Sequence, residues 1–181
     1  MLKFIKLQAE HLALLLDWRT QPEVTKYMFS DIEYNYDKQL QWYEAIINNP
    51  NERYWVIELN DRLIGLVSLN NIQWRDRRCY WGFYIGEADA RIYGGLIGPY
   101  VYRYVFEELG FKKIMGEIME GNENVRKIQI IQGCREVGVL KDHVYKYDKF
   151  HNVYVLEMLN TDWLHLKHRY GHCIAEFDYY Y

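Results

Sequence analysis

The chain is 181 residues long, half of them hydrophobic and 26% charged, with a formal net charge of −3, which fits one folded globular domain and not a nucleic-acid-coating surface. Cys79, Cys134 and Cys173 are odd in number and far apart, which excludes a disulfide framework and a paired-cysteine metal site and points to a reducing compartment, the cytoplasm. The N-terminal apolar run is too short for a signal peptide, and no run reaches the length of a membrane span.

Residues 2–8 alternate apolar and polar and predict a strand. Leu12, Leu15 and Leu16 have helical spacing and predict a helix over residues 9–18. After Pro22 a helical turn is expected at Val24–Phe29. Asp37 is the expected cap of a second helix with Leu40, Tyr43, Ile46 and Ile47 on its apolar face, stopped by Asn48-Asn49-Pro50. Arg53–Leu59 and Arg62–Asn71 read as strands joined by an Asn60-Asp61 turn, and Arg77–Ile85 completes an antiparallel meander. Gly94-Gly95 then introduces a long helix to Leu109, ended by Gly110. A strand at Lys112–Met119 and a helix from Gly121-Asn122 to Gly133 follow. Val137–Tyr145 and Phe150–Leu159 form a hairpin around Asp148. No repeat or linker divides the chain, so residues 1–160 are read as one domain and 161–181 as its extension, either docked or trailing. The natural solution is a mixed sheet with helices on its faces.

Chemistry concentrates at two junctions. In the loop Glu87–Gly98, Gly94, Gly95 and Gly98 let backbone approach a ligand, a helix start offers free N–H groups to phosphate, and Arg91 adds positive charge. The same residues also make an ordinary glycine turn. At Glu120–Lys127, Asn122 can cap a helix, while Arg126 and Lys127 can meet phosphate or solvent. His165 and His168 lie three apart without a recognised ligand pattern, so no metal is expected. There is no nucleophile-elbow or P-loop signature, and Cys134 reads as a buried small apolar residue. Eighteen tyrosines suit a polar cleft or a partner surface.

Taken together, the element order and these junctions resemble the GNAT superfamily of acetyltransferases over nearly the whole chain up to residue 160. Cys79–Ile85 resembles the strand that holds pantetheine, and Arg91–Gly98 the pyrophosphate loop, with Arg91, Gly94 and Leu96 in its key places; Leu96 stands where a small residue is usual. Glu117–Asn122 resembles the next strand exit and its asparagine. Gly133 and Gly138 match a Gly-Phe-x-x-x-Gly spacing with Cys134 in the Phe place, and 138–145 with 152–158 resemble the closing hairpin. Within the superfamily, Asp17-Trp18-Arg19-Thr20-Gln21-Pro22-Glu23, Tyr27-Met28 and Glu117–Glu120 resemble the N-acetyltransferases of pseudaminic-acid biosynthesis, which act on a UDP-linked 4-amino sugar. Ribosomal-protein and N-terminal-alanine acetyltransferases share much of the pattern.

The resemblance implies an α/β (α+β) fold with a mostly antiparallel mixed sheet and helices on both faces, and transfer of acetyl from acetyl-CoA to an amine. It places the donor on Phe83, Tyr84, Ile85, Arg91, Tyr93, Gly94, Gly95, Leu96 and Asn122, and the acceptor, a small-molecule amine on a sugar nucleotide, on Trp18, Arg19, Tyr27 and Met28. Glu117 is the first choice of base, acting through water, with a surface strand residue as its plain alternative. An N–H near Tyr84 or Ile85 would meet the thioester oxygen. Where the family carries a tyrosine that protonates the leaving thiolate, seven residues after the motif asparagine, this chain has Gln129, which cannot surrender a proton at neutral pH. A peptide-acetylating enzyme and a non-catalytic CoA-binding or interaction module are the competing readings. Neither nucleic acid nor a membrane is an expected partner, and a homodimer is left open.

Overall fold

The structure, a computed structural model, describes residues 2–180. Strand β1 (Leu2–Lys6) leads through a three-ten turn at Ala9–His11 into α1 (Leu12–Arg19), the short α2 (Pro22–Thr25) and α3 (Tyr36–Ile47). The meander is β2 (Arg53–Leu59), β3 (Arg62–Gln73) and β4 (Arg78–Ile85). Three-ten turns over Ala88–Leu96 feed α4 (Ile97–Arg103), which ends in a π turn at Tyr104–Glu108. Then come β5 (Lys113–Met119), α5 (Glu123–Ile131), β6 (Arg135–Lys146), β7 (Lys149–Leu159), α6 (Asn160–Leu166), a three-ten turn and β8 (Glu176–Phe177). No helix of the described residues is long and apolar enough to cross a membrane.

The strands form one sheet in the order β6-β7-β5-β4-β3-β2-β1-β8, antiparallel except where β4 meets β5 and β1 meets β8. Asn60-Asp61 and Tyr147-Asp148, all with φ between 51° and 62°, make the two-residue turns whose left-handed backbone matches the twist of a hairpin. Helices cover both faces. Leu12, Leu15, Trp18 and Tyr43 pack on Val56 and Leu66 on one side. Val101, Tyr102, Phe106 and Trp163 pack with Trp55, Ile57 and Trp81 on the other.

Several local expectations shift. The first helical turn after the loop begins at Pro22, earlier than Val24, because proline's fixed φ suits the opening position of a helix. The cap of α3 is Asn35, whose Oδ1 accepts from the Lys38 amide at 3.0 Å, and not Asp37, which lies inside the first turn. The long helix begins at Ile97: Gly94 and Gly95 fall in the three-ten lead-in, and Pro99 sits in the first helical turn, where its missing N–H costs no ladder bond. The residues after 160 dock. Trp163 is fully buried and donates to Glu107 at 2.9 Å, β8 pairs with β1, and Asp178 accepts from the Lys6 amide at 2.8 Å.

Candidate active site

β4 and β5 are paired only through Arg78–Lys113, Cys79–Ile114 and Tyr80–Met115. Beyond Tyr80 they diverge, while β4 stays paired with β3 as far as Ile85 and β5 with β7 as far as Met119. On β4 the Gly86 amide donates to Ile64 O across β3 at 2.8 Å. Amides in an antiparallel strand alternate sides, so those of Phe83 and Ile85 turn toward the opening. The expected N–H near Tyr84 or Ile85 is thereby narrowed to Ile85 and its neighbour two residues back; the Tyr84 amide faces β3.

A cleft of about 1250 Å³ runs through this opening. Its floor is Trp81–Ile85 of β4 and Gly116–Met119 of β5; its walls are the end of α1 with the loop to α3, α3 itself, the Arg91–Gly98 segment, and α5. Strand alternation sorts the floor into two chemistries. Trp81 and Phe83 stack at 5.5 Å on the α4 side, where Trp81 also meets Tyr102 edge-on, and Gly116 faces Gln129 of α5. Tyr84 and Glu117 therefore face the α1 side, and Tyr84 packs with the cluster there. Burial pushes the Tyr84 hydroxyl well above the ordinary phenol range, so it stays protonated. Glu117 is half-buried, and its carboxylate has no hydrogen-bond or ion-pair partner among the described residues.

The Arg91–Gly98 wall is held from below. Gln132 Nε2 donates to Gly95 O at 2.7 Å, and its Oε1 lies 2.3 Å from where a Cβ at Gly98 would stand, so a side chain there would displace the Gln132 amide. Arg91 donates to Gln21 Oε1 at 3.1 Å, linking this wall to the loop after α1. On the opposite wall Arg19 donates to Thr25 Oγ1 at 3.1 Å and to Ser30 O at 2.8 Å. The segment from Thr25 to Asp31 is also tied from far along the chain. Lys146, its side chain only 2% exposed, donates from Nζ to Thr25 O at 2.8 Å, Met28 O at 3.0 Å and Asp31 Oδ1 at 2.6 Å. That lysine holds the Asp31 carboxyl below its usual range.

Of the residues expected at the site, Phe83, Tyr84, Ile85, Arg91, Gly94, Gly95, Glu117, Asn122, Gln129, Arg19, Tyr27 and Met28 all line this one cleft. Three do not. Trp18 is 1% exposed, its ring lies against Gly86, where a Cβ would stand 2.1 Å away, and its Nε1 donates to Glu87 at 2.8 Å; it is core. Tyr93 and Leu96 are exposed outside the cleft lining, because three-ten turns point them away from it. Asn122 stands at the N-cap position of α5 without a side-chain capping bond, which leaves its amide to the cleft. Cys134 is buried beside Tyr102 and its thiol is pushed up to about 11 by burial, so it is no nucleophile. Sequence reasoning passed over Trp42, Tyr54 and Lys146; the first two have the spacing of core residues, and Lys146 gives no local signal at all.

Among solved structures, spermidine N-acetyltransferase from Vibrio cholerae in complex with CoA and spermine has the same fold: TM-score 0.83 at 20% identity, over 90% of this chain and 98% of that one. Two chimeras of that enzyme, SpeG, with hSSAT align at TM-scores of 0.81 and 0.78, with 20% and 21% identity, over 90% and 91% of this chain and 98% of each of theirs. No curated protein matches by sequence. Residues 2–135 match the family described as Acetyltransferase (GNAT) domain, a span that contains the whole opening of β4 from β5, the three-ten segment and α5. A match over well more than half of the chain shows the family: the chain belongs to the GNAT family, and it is an N-acetyltransferase whose donor is acetyl-CoA.

Proposed function

We propose that the acceptor is the amine of a nucleotide-linked 4-amino sugar, as in the pseudaminic-acid N-acetyltransferases that the loop residues Arg19, Tyr27 and Met28 resemble. The observation that carries this reading is the state of the carboxylates around the acceptor wall. Asp31 is already ion-paired with Lys146 and Glu33 with Lys38, both at 2.6 Å. A site built for a polycation would leave such carboxylates to the ligand. Besides the unpaired Glu23 and Glu117, the wall is largely aromatic and neutral-polar: Tyr27, Phe29, Trp42, Tyr54, Ser68 and Tyr84. Aromatic faces suit sugar and base rings. The Lys38–Glu33 pair is mostly exposed and weak, so it is chiefly Asp31 that weighs against a polycation.

Donor and acceptor then come from opposite faces of the sheet and meet in the opening. Pantetheine lies along Phe83–Ile85, the pyrophosphate against Arg91, Gly94 and Gly95, and the thioester oxygen takes an amide N–H from β4. Glu117, on the acceptor face, accepts the proton of the attacking amine through water. Glu23 and Glu117, which have no ion-pair partner among the described residues, favour a second reading in which a small polyamine binds, as spermine does in the Vibrio cholerae relative. Release of free CoA from acetyl-CoA separates these readings. Turnover of a UDP-linked 4-amino sugar, well above that of spermidine and N-terminal peptides, is the expected result. Turnover of spermidine or a peptide with none for any amino-sugar nucleotide would overturn it.

A further inference from the structure

Tyr54 of β2, Ser68 of β3 and Gly82 of β4 stand opposite one another in register, so they share the α1 face of the sheet. The last pair between β4 and β5 is Tyr80 with Met115, and two residues further on Glu117 comes level with Gly82 across the opening. In this row Gly82 is the one place without a side chain. A Cβ there would meet nothing nearer than Ser68 Oγ at 3.9 Å, so the space above it is open. A glycine inside a strand is where a ligand can come close, and Ser68, Gly82 and Glu117 all line the cleft.

The role of the Ser68 hydroxyl is dictated from behind. Glu52 Oε2 accepts from the Tyr54 hydroxyl at 2.7 Å. Burial, with Glu52 beside it, pushes that phenol far above its ordinary range, so the proton stays on Tyr54. Its hydrogen being engaged, the Tyr54 oxygen accepts from Asn70 Nδ2 at 2.9 Å. Asn70 Oδ1 is thereby turned toward Ser68, and a carbonyl only accepts, so Ser68 Oγ–H donates to it at 2.8 Å. The Gly82 carbonyl, at 3.5 Å, is the weaker rival. Ser68 Oγ therefore presents lone pairs to the cleft, and no described residue donates to it.

We propose that Ser68 Oγ on one side and Glu117, through water, on the other take the two hydrogens of a primary acceptor amine above Gly82, with Asn70, Tyr54 and Glu52 as the positioning residues that make the serine an acceptor. The inference rests on the reacting centre placed above, and it holds for a sugar amine or the end of a polyamine alike. A neutral primary amine has two N–H groups and one lone pair. With its hydrogens drawn to opposite sides, the lone pair is left to the thioester carbon. It forms the N–C bond as the C–S bond breaks, whose electron pair goes to sulfur. One proton leaves through water toward Glu117 and a proton from water reaches the sulfur, so the two transfers balance. The hydrogen held by Ser68 stays and becomes the amide N–H of the product. A secondary amine has no hydrogen for that place and leaves Ser68 unpaired.

Release of CoA from acetyl-CoA is measured with a UDP-linked 4-amino sugar, spermidine and an N-terminal peptide, each beside its form methylated on the reacting nitrogen. One neutral hydrogen bond predicts a kcat roughly tenfold lower in Ser68→Ala, with the acetyl-CoA Kd changed less than about twofold. The parent should prefer the primary amine, Ser68→Ala should lose roughly tenfold of that preference, and Ser68→Thr, which keeps the hydroxyl, should recover both. Asn70 does not line the cleft, so Asn70→Leu acts only through Ser68. It should lower kcat roughly two- to fivefold alone and add nothing on top of Ser68→Ala. A Ser68→Ala kcat within about twofold of the parent, an unchanged preference, or additive losses in the double variant would overturn the Ser68 role. Turnover of spermidine or the peptide alone overturns the sugar reading and not this one, which the same ratios then decide on that acceptor. A parent that acetylates no primary amine overturns both.

Discussion

Lys146→Met isolates the acceptor wall from the donor wall. The Lys146 side chain is 2% exposed, and its ammonium makes three hydrogen bonds to the Thr25–Asp31 segment. Hydrogen bonds from a charged donor contribute about 1.5–3 kcal/mol each, but removing the ammonium also recovers its own desolvation cost of several kcal/mol. The carboxylate left behind, Asp31, is 63% exposed and rehydrates, so the usual penalty for a stranded buried charge is largely absent. The balance is on the order of 2 kcal/mol, borne by one segment, which lowers the population of its ordered form about 30-fold at most. The assay is steady-state kinetics beside acetyl-CoA titration. The acceptor KM should rise roughly 10-fold, the acetyl-CoA Kd should change less than twofold, and Lys146→Arg should recover part of the loss. An unchanged acceptor KM in a folded Lys146→Met protein, or an equal loss of both ligands, would refute the reasoning.

Two further predictions concern stability. Burial pushes the Glu157 carboxyl up, but hydrogen bonds from Lys113 and Arg135, both at 2.6 Å, outweigh it and hold the group below its usual range. A depressed carboxyl stabilises the fold above its unfolded pKa of about 4.3, and that contribution is lost as pH falls through the folded value. Glu157→Gln should therefore melt lower than the parent at neutral pH and converge with it in acid; a gap independent of pH would contradict this. Gly86→Ala would drive a methyl into the Trp18 ring, 2.1 Å away, and should cost at least about 1–3 kcal/mol in denaturant titration. A loss below about 0.5 kcal/mol would mean that the α1–β4 packing is looser than described.

Periodicity carried most of the fold. The apolar rows of α1 and α3 and the alternation of β2, β3 and β4 are local, so their types and rough bounds were legible. Errors fell where local signals compete: Asn35 and Asp37 are both good caps, and only the chain's entry angle into α3 chooses between them. The docking of α6 depends on Tyr102, Phe106 and Glu107, roughly 60 residues back, and that of β8 on β1, more than 170 residues back, and neither left a local mark. The glycine-bearing Arg91–Gly98 segment and the Phe83–Ile85 strand could be singled out because glycines mark a close backbone approach, and both line the cleft. Trp18 was misplaced because a tryptophan at the end of an amphipathic helix serves a core and a cleft equally well in sequence. Lys146 was invisible because its three acceptors are two backbone carbonyls and an aspartate in a loop. Gly116 was passed over as well: a glycine in the middle of a strand marks a close approach, here of Gln129 and Trp81.

The pairing of β1 with β8 has a consequence for how the chain is assembled. Lys3 and Phe4 meet Glu176 and Phe177, contacts that span more than 170 positions. During synthesis β1 can join β2 early, yet its other edge stays bare until Glu176 and Phe177 have been made. An open apolar strand edge is a template for intermolecular pairing, and late, non-local closure is slow. The stacked rings of Phe4 and Phe177, 4.0 Å apart, and the Asp178 bonds to Lys6 and Trp55 are what finally seal it. Newly made protein at high concentration is thus exposed to self-association at an edge far from the catalytic opening.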